Sequence, residues 1–564
     1  MTKVKNDLSF EFAADKFYFV PLGGSEQFGV NCNLYVHDNS WLLVDLGMGF
    51  AGDKTPGVDI LLPDIDCLAA NKGKLDGLVI THAHEDHIGA VPYLWPRLRC
   101  PIFCTPFTAE VLRQKFREYP DCDDAVITEI NAGDNHSIGA FDIDYVHMAH
   151  SIPDTVSLFI QTPAGNAFHS ADWNLDPSPV IGKTTDMSSL KTIGRKGVDV
   201  YIGDSTNAMV SGRAGSEQAV EEGLHNVLEG CEGKVVITLF ASNVGRIQSI
   251  CRAARENDRS VAVLGRSLHK MIACARSSGY LKDIPDFVAE EDMDLIPDDN
   301  LVVIATGSQG EARAAMARIA RGDWQGLSLK ENDTVIFSSR EIPGNEKDID
   351  QVKNNLVASG VRIIDPDNAA HKIHVSGHPY RDEIYDMLSI IKPNAVIPIH
   401  GEYIQLSGQA EVAKGCGIQN IQIPSNGSVI QIDKDGLKVQ GYVPTGLLAV
   451  EPKRVIKIDH RAIRERRKIQ YAGVVHVTVV LDKNGNMYDD PQITTLGLID
   501  DKRPEDMKLE DDLFDEICEI HEDMSLEEHL DDDFVAEQIR IGVRRFMKQA
   551  LGFKPVTNVH LVRV

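Results

Sequence analysis

The amino-acid sequence predicts an α/β protein with several domains, in which a layered α/β domain is interrupted by a parallel-sheet unit and followed by a small α+β domain. The length of 564 residues exceeds what one hydrophobic core serves. Short β-rich runs in the first third give way to a regular alternation of strand and helix, which is typical of a parallel sheet. A dense cluster of histidine and carboxylate residues after an apolar strand indicates that the layered domain binds metal.

Short β-rich runs separated by turns fill the first third of the chain. The runs that we predict as strands are Trp41 to Asp45, Leu75 to Ile80, Ile143 to Val146, Leu158 to Gln161 and Val198 to Ile202. Helices such as Thr108 to Glu118 are expected to lie outside these strands. We place the first part of the layered domain at residues 1–213.

A regular strand and helix rhythm begins near Ser216. The predicted pairs are Val235 to Leu239 with Gly245 to Glu256, Val261 to Leu264 with Arg266 to Ser277, and Leu301 to Ala305 with Glu311 to Ala320. This repetition indicates a parallel sheet, which we assign to residues 214–365. Because histidines of the ligand type return after it, we expect the layered domain to resume at residues 366–450, so that the parallel-sheet unit is an insertion.

The C-terminal part starts a separate unit. A basic segment from Arg461 to Lys468 precedes the predicted strand Val474 to Leu481, an acidic stretch, a last helix and a last strand. We assign residues 451–463 to a linker and 464–564 to a small α+β domain. The basic run indicates either a solvated helix face or a contact with phosphates, and both interpretations stay open.

Composition limits the functional classes. The formal net charge of −27 argues against a simple nucleic-acid binder, but much of the acid lies between Ile499 and Glu537, so a positive channel elsewhere remains compatible with it. The N-terminal stretch is polar, and no apolar run approaches the roughly 20 residues of a membrane span, so we expect a cytoplasmic protein with no membrane partner. The ten cysteines form no C-x-x-C pair, which predicts reduced thiols.

The histidine and carboxylate cluster follows the predicted strand that ends at Ile80. His82 and His84 lie two apart on extended backbone, so their side chains can share one ion. Asp86 and His87 turn back at the start of a helix expected near Ile88 and can hold a second ion. Solvated histidines in a loop are the competing explanation. Imidazole and carboxylate ligands suit zinc, and two ions about 4 Å apart would make hydroxide at neutral pH and promote an in-line displacement.

Three more residues of the ligand type follow predicted strands. His150 is expected to complete the first site, and Asp172 to bridge both ions with its two oxygens. His400, after the predicted strand Ala395 to Ile399, is the candidate for the remaining ligand of the second site. Asp45 ends a strand and is expected to hydrogen-bond the outer nitrogen of a ligand histidine. Taken singly, each of these residues has an ordinary role in a loop or strand-end turn as the alternative.

These residues together resemble the metallo-β-lactamase fold. Three further motifs resemble the β-CASP nuclease group of that superfamily, and within it the ribonuclease J family; they are Gly203-Asp204-Ser205-Thr206-Asn207, His374-Val375-Ser376-Gly377-His378 and His400-Gly401-Glu402. The resemblance covers about Phe17 to Val450 and, more weakly, the C-terminal domain. It implies a metallo-β-lactamase αββα sandwich with an inserted β-CASP domain.

The resemblance also implies roles for individual residues. One zinc would be bound by His82, His84, His150 and Asp172, and the other by Asp86, His87, Asp172 and His400. Manganese or magnesium can replace zinc at such sites. The implied catalytic residues are Asp86 and a pair formed by His374 and Asp204, in which His374 helps to protonate the departing oxygen. A buried structural pair is the alternative for His374 and Asp204.

Two segments are expected to contact phosphate. Ser376, Gly377 and His378 supply a hydroxyl, a close backbone approach and an imidazole. Ser308 and Gln309 lie in a Gly-Ser-Gln-Gly turn ahead of the predicted helix, where free amides would bind an anion. A tight turn explains the second segment equally well.

The function that this set of residues predicts is a two-zinc ribonuclease, and the resemblance implies that it acts in rRNA processing and mRNA decay. The resemblance implies single-stranded RNA as partner and 5′-to-3′ exonuclease activity that favours a 5′-monophosphate, with endonuclease activity as a second mode. It also implies a homodimer or a tetramer assembled through the C-terminal domain. The alternatives are a DNA nuclease of the same fold, a metallo-hydrolase of a small carbonyl substrate, and an inactive binding subunit; the filled ligand positions argue against the last.

Overall fold

The computed structural model describes residues 10–52, 55–342, 344–434, 436–500 and 502–564. The chain divides into two compact units, which we describe separately. The first contains the chain up to Phe50 and Leu61–Leu447, and the second contains Ala51–Ile60 and Leu448–Val564. Among the described residues, no helix combines the length and the apolar character that crossing a membrane requires.

Two mixed sheets form the centre of the first unit. The eight strands of one sheet are, in spatial order, Gly436–Tyr442, Ser428–Asp433, Phe17–Gly23, Cys32–His37, Ser40–Val44, Leu75–Ile80, Ile102–Cys104 and Ile127–Glu129. The seven strands of the other are Asn420–Ile421, Ala395–Ile399, Val200–Asp204, Gly165–His169, Val156–Thr162, Phe141–His147 and Asn135–Ile138. Phe19 and Val79 of the first sheet and Leu158 and Ile397 of the second belong to one buried cluster, so the two sheets pack face to face.

Helices cover the outer faces of this sandwich. Between the strands of the first sheet lie Asp66–Ala70, Glu85–Ile88, Val91–Leu98 and Pro106–Phe116. The helices of the second sheet are Met187–Lys196, Arg381–Ile391 and Tyr403–Gly415. Leu190, Ile384 and Val412 from these three helices pack with Phe168 and Val396 in a second buried cluster. The αββα sandwich predicted from the sequence is therefore confirmed.

A five-stranded parallel sheet lies between the two halves of the sandwich in the sequence. Its spatial order is Ser260–Leu264, Leu301–Ala305, Val235–Thr238, Thr334–Phe337 and Arg362–Ile364. Its helices are Glu217–Glu229, Val244–Glu256, Arg266–Ser277, Ala315–Ala320 and Glu346–Ala358. The parallel-sheet insertion that the alternating rhythm predicted is thus present. Buried runs such as Leu301–Ala305 agree with a parallel sheet covered on both faces.

Two predicted helix starts are wrong. The helix expected near Ile88 begins at Glu85, because the carbonyl of His84 already accepts hydrogen bonds from His87 and Ile88. The helix expected from Glu311 begins only at Ala315. The residues before it form a turn, in which Gly310 has a φ of 79°.

The second unit is an α+β domain with a helical linker. The strands Leu447–Glu451 and Arg454–Lys457 form a hairpin, followed by the helix Arg461–Ala472, which we call the linker helix. The three-stranded sheet has the order Gln492–Leu496, Val474–Leu481 and Val556–Arg563. Alternate residues of Val474–Leu481 are buried against the helices Pro504–Glu522 and Asp532–Leu551, so that only one face of the sheet is covered by them.

Short elements complete the described chain. The remaining strands are Gly49–Phe50 and Ile60–Pro63. The short 3-10 helices are Lys72–Lys74, Pro120–Cys122, Glu290–Leu295, Asp298–Asn300 and Glu528–Leu530.

Candidate metal centre

Parallel strand pairing brings distant polar residues to one edge of the sandwich. Gly165–His169, Val200–Asp204 and Ala395–Ile399 run parallel, so the segments after their carboxyl ends lie side by side. In the other sheet, Ser40–Val44 pairs in parallel with Leu75–Ile80. The carboxyl ends of parallel strands are where ligand sites form in α/β proteins. All of the predicted metal ligands except His150 follow these strands directly or within a few residues.

The first group of ligands consists of His82, His84, His150 and Asp172. One ligand atom from each of them lies within 4.8 Å of the others. Nδ1 of His84 is 3.1 Å from Nε2 of His82 and 3.0 Å from Nε2 of His150. Burial lowers the pKa of His82 and His150, and it lowers the pKa of His84 to about 3. The three imidazoles are therefore neutral, which is the form that binds a metal ion.

The second group consists of Asp86, His87, Asp172 and His400, again within 4.8 Å. Nε2 of His87 is 3.2 Å from Oδ2 of Asp172, and Nε2 of His400 is 3.0 Å from Oδ2 of Asp86. Although burial opposes it, the carboxylates of Asp172, Asp86 and Asp45 hold the pKa of His87 above its usual range. Against the same effect of burial, Asp172 and Asp86 raise the pKa of His400 to about 9. This concentration of negative charge attracts protons and divalent cations alike.

Asp172 belongs to both groups. Its two carboxylate oxygens are buried, and the groups that face them are the candidate ligand imidazoles: Oδ2 lies 3.2 Å from Nε2 of His87, and Oδ1 lies 3.7 Å from Nε2 of His400. A buried carboxylate needs compensating positive charge, and cations held between it and these imidazoles would supply that charge. Together with the neutral imidazoles, this makes the residues a good fit for a pair of metal ions. The sequence-based prediction of Asp172 as the bridging residue agrees with this arrangement.

Outer hydrogen bonds orient the ligand imidazoles. Oδ2 of Asp45 is 2.7 Å from Nδ1 of His87, so Asp45 lies where the sequence predicted an outer partner. Nδ1 of His150 donates to the carbonyl of Gly377 at 2.7 Å, a contact between segments 227 residues apart. Oγ1 of Thr206 is 2.8 Å from Nδ1 of His400. Such partners fix which nitrogen faces the metal.

Two of the residues that hold the ligands were missed by sequence reasoning. Thr206 lies inside one of the motifs already noted, two residues after Asp204, so the sequence carries a signal for it but does not link it to His400. Asn31 gave no comparable signal. Its backbone amide and its side-chain amide both donate to the carbonyl of Asp86 at 3.1 Å, and Nδ2 lies 3.1 Å from Nε2 of His87. Asn31 thus ties the ligand helix to the strand Cys32–His37.

The predicted pair of His374 and Asp204 is wrong. Oδ2 of Asp204 is 2.8 Å from Nδ1 of His378, so His378 is the histidine that Asp204 orients. Burial alone would lower the pKa of His378, but the carboxylates of Asp204 and Asp172 hold it above its usual range. The protonated form of His378 is therefore favoured, and its ring centroid lies 5.5 Å from that of His400. The two histidines lie four residues apart in one motif, and the sequence alone does not show which of them contacts Asp204.

His374 lies beside arginines instead. Its Nδ1 is 3.4 Å from Nη1 of Arg246, which is fully buried and forms an ion pair with Glu217 at 2.8 Å. Burial and the positive charges of Arg246 and Arg340 lower the pKa of His374 to about 3. A neutral imidazole beside two guanidinium groups accepts hydrogen bonds and does not supply protons at neutral pH.

The residues expected to bind phosphate have different surroundings. Oγ of Ser376 accepts hydrogen bonds from Nδ2 of Asn207 at 2.8 Å and from the amide of His378 at 3.0 Å, which leaves its proton free to donate. A side chain at Gly377 would lie within 2.8 Å of the His150 ring, so only glycine fits there.

Gln309 does not match its predicted role. Its side-chain amide donates to the carbonyl of Arg340 at 2.9 Å and accepts from the amide of Ile342 at 2.8 Å. These bonds hold the loop after Phe337 in place and occupy the side chain that we expected to contact phosphate. The neighbouring Ser308 is 3 % exposed. The turn is also not at a helix N-terminus, because the following helix begins only at Ala315.

Four family models match successive parts of the chain. Residues 26–163 match the metallo-beta-lactamase superfamily, and residues 232–356 match the ribonuclease J beta-CASP domain. Residues 368–424 match the Zn-dependent metallo-hydrolase RNA specificity domain, and residues 461–564 match the ribonuclease J C-terminal domain.

Whole-chain relatives agree with these matches. The chain is 38 % identical to ribonuclease J of Sinorhizobium meliloti over 556 residues, which cover 98 % of both proteins. It is 36 % identical to ribonuclease J of Mycolicibacterium smegmatis, over 82 % of this chain and 83 % of the relative. Among solved structures, a protein of unknown function from Enterococcus faecalis aligns with a TM-score of 0.53 at 15 % identity, covering 74 % of this chain and 100 % of that one, which supports the fold alone.

Proposed function

Because this chain belongs to the ribonuclease J family and is a metal-dependent ribonuclease, we propose that it degrades RNA from the 5′ end and favours a 5′-monophosphate. Internal cleavage is its second mode. The observation that carries the proposal is the convergence of six other candidate ligands on the buried carboxylate of Asp172. The seven residues come from four segments of the chain, at 82–87, 150, 172 and 400, which only the folded chain brings together.

We propose that the two groups of ligands hold two zinc ions. His82, His84 and His150 would bind one ion, Asp86, His87 and His400 the other, and Asp172 both. The mixture of imidazole and carboxylate is a donor set that zinc prefers, and manganese is also accepted by such sites. When bound, the metal pair supplies hydroxide at neutral pH and offsets the negative charge of the phosphate.

His378 is proposed as the general acid. During cleavage the P–O3′ bond breaks, and Nε2 of His378 delivers its proton to the departing 3′ oxygen. Asp204 supports this role, because its carboxylate is 2.8 Å from the opposite ring nitrogen and favours the protonated ring. The products are one RNA fragment with a 3′-hydroxyl and a nucleotide or fragment with a 5′-phosphate.

Ser376 and Gly377 are proposed to contact the RNA phosphates. The hydroxyl of Ser376 still has a proton to donate, and the absence of a side chain at Gly377 lets the backbone approach closely. His374 adds an acceptor and Arg340 adds a positive charge, since Arg340 acts on the pKa of His374 and donates to Asn207, the residue that donates to Ser376. Ser308 is a further candidate for a phosphate contact, whereas the side chain of Gln309 holds the loop after Phe337 in place.

A nuclease assay with matched substrates tests the proposal. The purified protein with added zinc or manganese should release nucleoside 5′-monophosphates from 5′-monophosphorylated single-stranded RNA. The rate should exceed that on the same RNA with a 5′-triphosphate, and that on single-stranded DNA of the same sequence, by at least about ten-fold. Equal rates on RNA and DNA would contradict the RNA preference. Internal fragments without mononucleotides would contradict the 5′-to-3′ mode.

We further propose that the C-terminal domain forms a homodimer, which can pair into a tetramer. Val474–Leu481 carries half-buried residues on the sheet face opposite its two helices. Leu496, paired with Val474, lies on the same face and is 64 % exposed. An exposed apolar position on an open sheet face is typical of a subunit contact.

A single substitution tests this contact. Leu496→Arg places an unpaired charge on the face and is expected to lower the molar mass measured by light scattering to that of the monomer. The matched control is Leu526→Arg, at a position that is 77 % exposed in the segment between the two helices. The same molar mass for both variants would contradict the proposed face.

We also propose a reducing, cytoplasmic setting for this protein. All ten cysteines are free, and eight of them are buried. Burial raises the pKa of the Cys67 thiol to about 11 and that of Cys100 to about 12. Such thiols stay protonated and unreactive, as packing residues do in reducing compartments.

A further inference from the structure

The linker helix presents a row of cations that the proposed active site does not use. Arg464, Arg467, Lys468 and Tyr471 are exposed and follow a spacing of three, four and seven residues. At about 100° per residue, this spacing places the four side chains in a stripe about 100° wide on one face of the helix. Tyr471, at the end of the stripe, is 68 % exposed. We call these four residues the basic stripe.

The other side of the helix is fixed within its own unit. Ile463 is 3 % exposed. Arg466, about 150° from the middle of the basic stripe, donates to the carbonyl of Pro56 at 3.2 Å and forms an ion pair with Glu451. These contacts determine which face points outward. The basic stripe is therefore presented by an anchored helix.

The charges of the basic stripe are not neutralised inside the protein. Within the described part of the chain, Arg464, Arg467 and Lys468 form no ion pair, whereas Arg461 on the same helix pairs with Glu465 at 2.6 Å. Like charges at spacings of three and four residues destabilise a helix. Acidic residues are plentiful in the same domain, which contains the runs Glu510 to Asp512 and Asp531 to Asp533. Three unpaired cations in so acidic a domain indicate an anionic ligand from outside.

We propose that the basic stripe binds the backbone of single-stranded RNA, with Tyr471 stacking on a base. This inference rests on the proposed function, since it names a second place where the same substrate is held. The combination of cations with an exposed aromatic ring favours RNA over an acidic protein. Phosphates pair with the cations, and only nucleic acid offers base faces to the ring.

Salt dependence of RNA binding tests the cations. The full-length chain is titrated with fluorescent oligouridylate in EDTA, so that the RNA is not cut, over a range of salt concentrations. The variant Arg464→Gln/Arg467→Gln/Lys468→Gln is expected to reduce the slope of log K against log salt by about 2, at about 0.7 per lost phosphate contact. The control Lys483→Gln/Lys508→Gln/Lys548→Gln removes the same charge from scattered exposed positions of the same domain. It is expected to change the slope little.

Tyr471 provides an independent measurement. Tyr471→Ala is expected to weaken binding about 5- to 150-fold without changing the salt slope, and Tyr471→Phe to retain the affinity, because the ring and not the hydroxyl stacks. Equal slopes for the two triple variants would overturn the inference. The inference would also be overturned, in favour of an acidic protein, by two results together. These are an RNA affinity of Tyr471→Ala equal to that of the unmodified protein, and displacement of RNA by polyglutamate of matched charge. Failure of the proposed function would instead show as no RNA cleavage by the unmodified, metal-loaded protein.

Discussion

Replacement of Asp172 by asparagine is expected to reduce RNA cleavage by at least about 1,000-fold and to abolish tight metal binding. The carboxylate is the one group shared by both ligand sets, and its oxygens face the imidazoles of both. Asparagine keeps the shape but has neither the charge nor a second coordinating oxygen. Metal content after dialysis and the cleavage rate measure the two effects.

Thermal unfolding separates this effect from misfolding. A ligand that binds only the folded state stabilises it by about 2.7 kcal/mol at a concentration of about 100 times Kd. We therefore expect zinc to raise the unfolding temperature of the unmodified protein but not that of the Asp172→Asn variant. Asp199→Asn is the matched control, because Asp199 is also buried but accepts a hydrogen bond from the amide of Asn166 at 2.9 Å. If Asp172→Asn still bound two ions, the bridging role would be refuted.

The second large effect is expected at His378. His378→Gln should lower kcat by about 100- to 10,000-fold with normal metal content, since a general acid contributes that much. His374→Gln should lower kcat far less and act mainly on KM, because His374 is a neutral neighbour of two arginines. A larger loss of kcat in His374→Gln than in His378→Gln would instead identify His374 as the proton donor.

The pH dependence of kcat tests whether Asp204 raises the pKa of His378. The pKa of His378 lies above its usual range because of Asp204 and Asp172, so the protonated donor is present at low pH and is lost as the pH rises through that pKa. Asp204→Asn removes one carboxylate charge and lowers this pKa. The basic limb of the kcat profile should then move to lower pH. An unmoved limb would mean that another group sets it.

The meeting of the candidate metal ligands could be predicted because each of them follows a strand or lies in a short motif. His82, His84, Asp86 and His87 are close in sequence, and His400 follows the strand Ala395–Ile399, whose parallel pairing with Val200–Asp204 leads to the same edge. In a parallel sheet, the segments that follow neighbouring strands lie side by side. The alternation of strand and helix was therefore enough to predict that these residues lie close together. The inserted parallel sheet was predictable for the same reason.

The errors arose where backbone geometry outside regular elements decides the contacts. His374 and His378 lie in the same short motif, and only the irregular path of that segment directs one towards Arg246 and the other towards Asp204. Gln309 was misassigned because its partners, Arg340 and Ile342, come from a distant loop. Asn31 was missed because an asparagine in a glycine-rich segment has many ordinary explanations.

The order of the ligands along the chain has a consequence for protein synthesis. The first ligand set is complete at Asp172, but the second needs His400, which is made 228 residues later. At about 5–20 residues per second, a ribosome needs about 10–45 s to cover that distance. Until then a growing chain contains the residues of only one of the two proposed sites. If cleavage needs both sites, nuclease activity can appear only after residue 400 has been made.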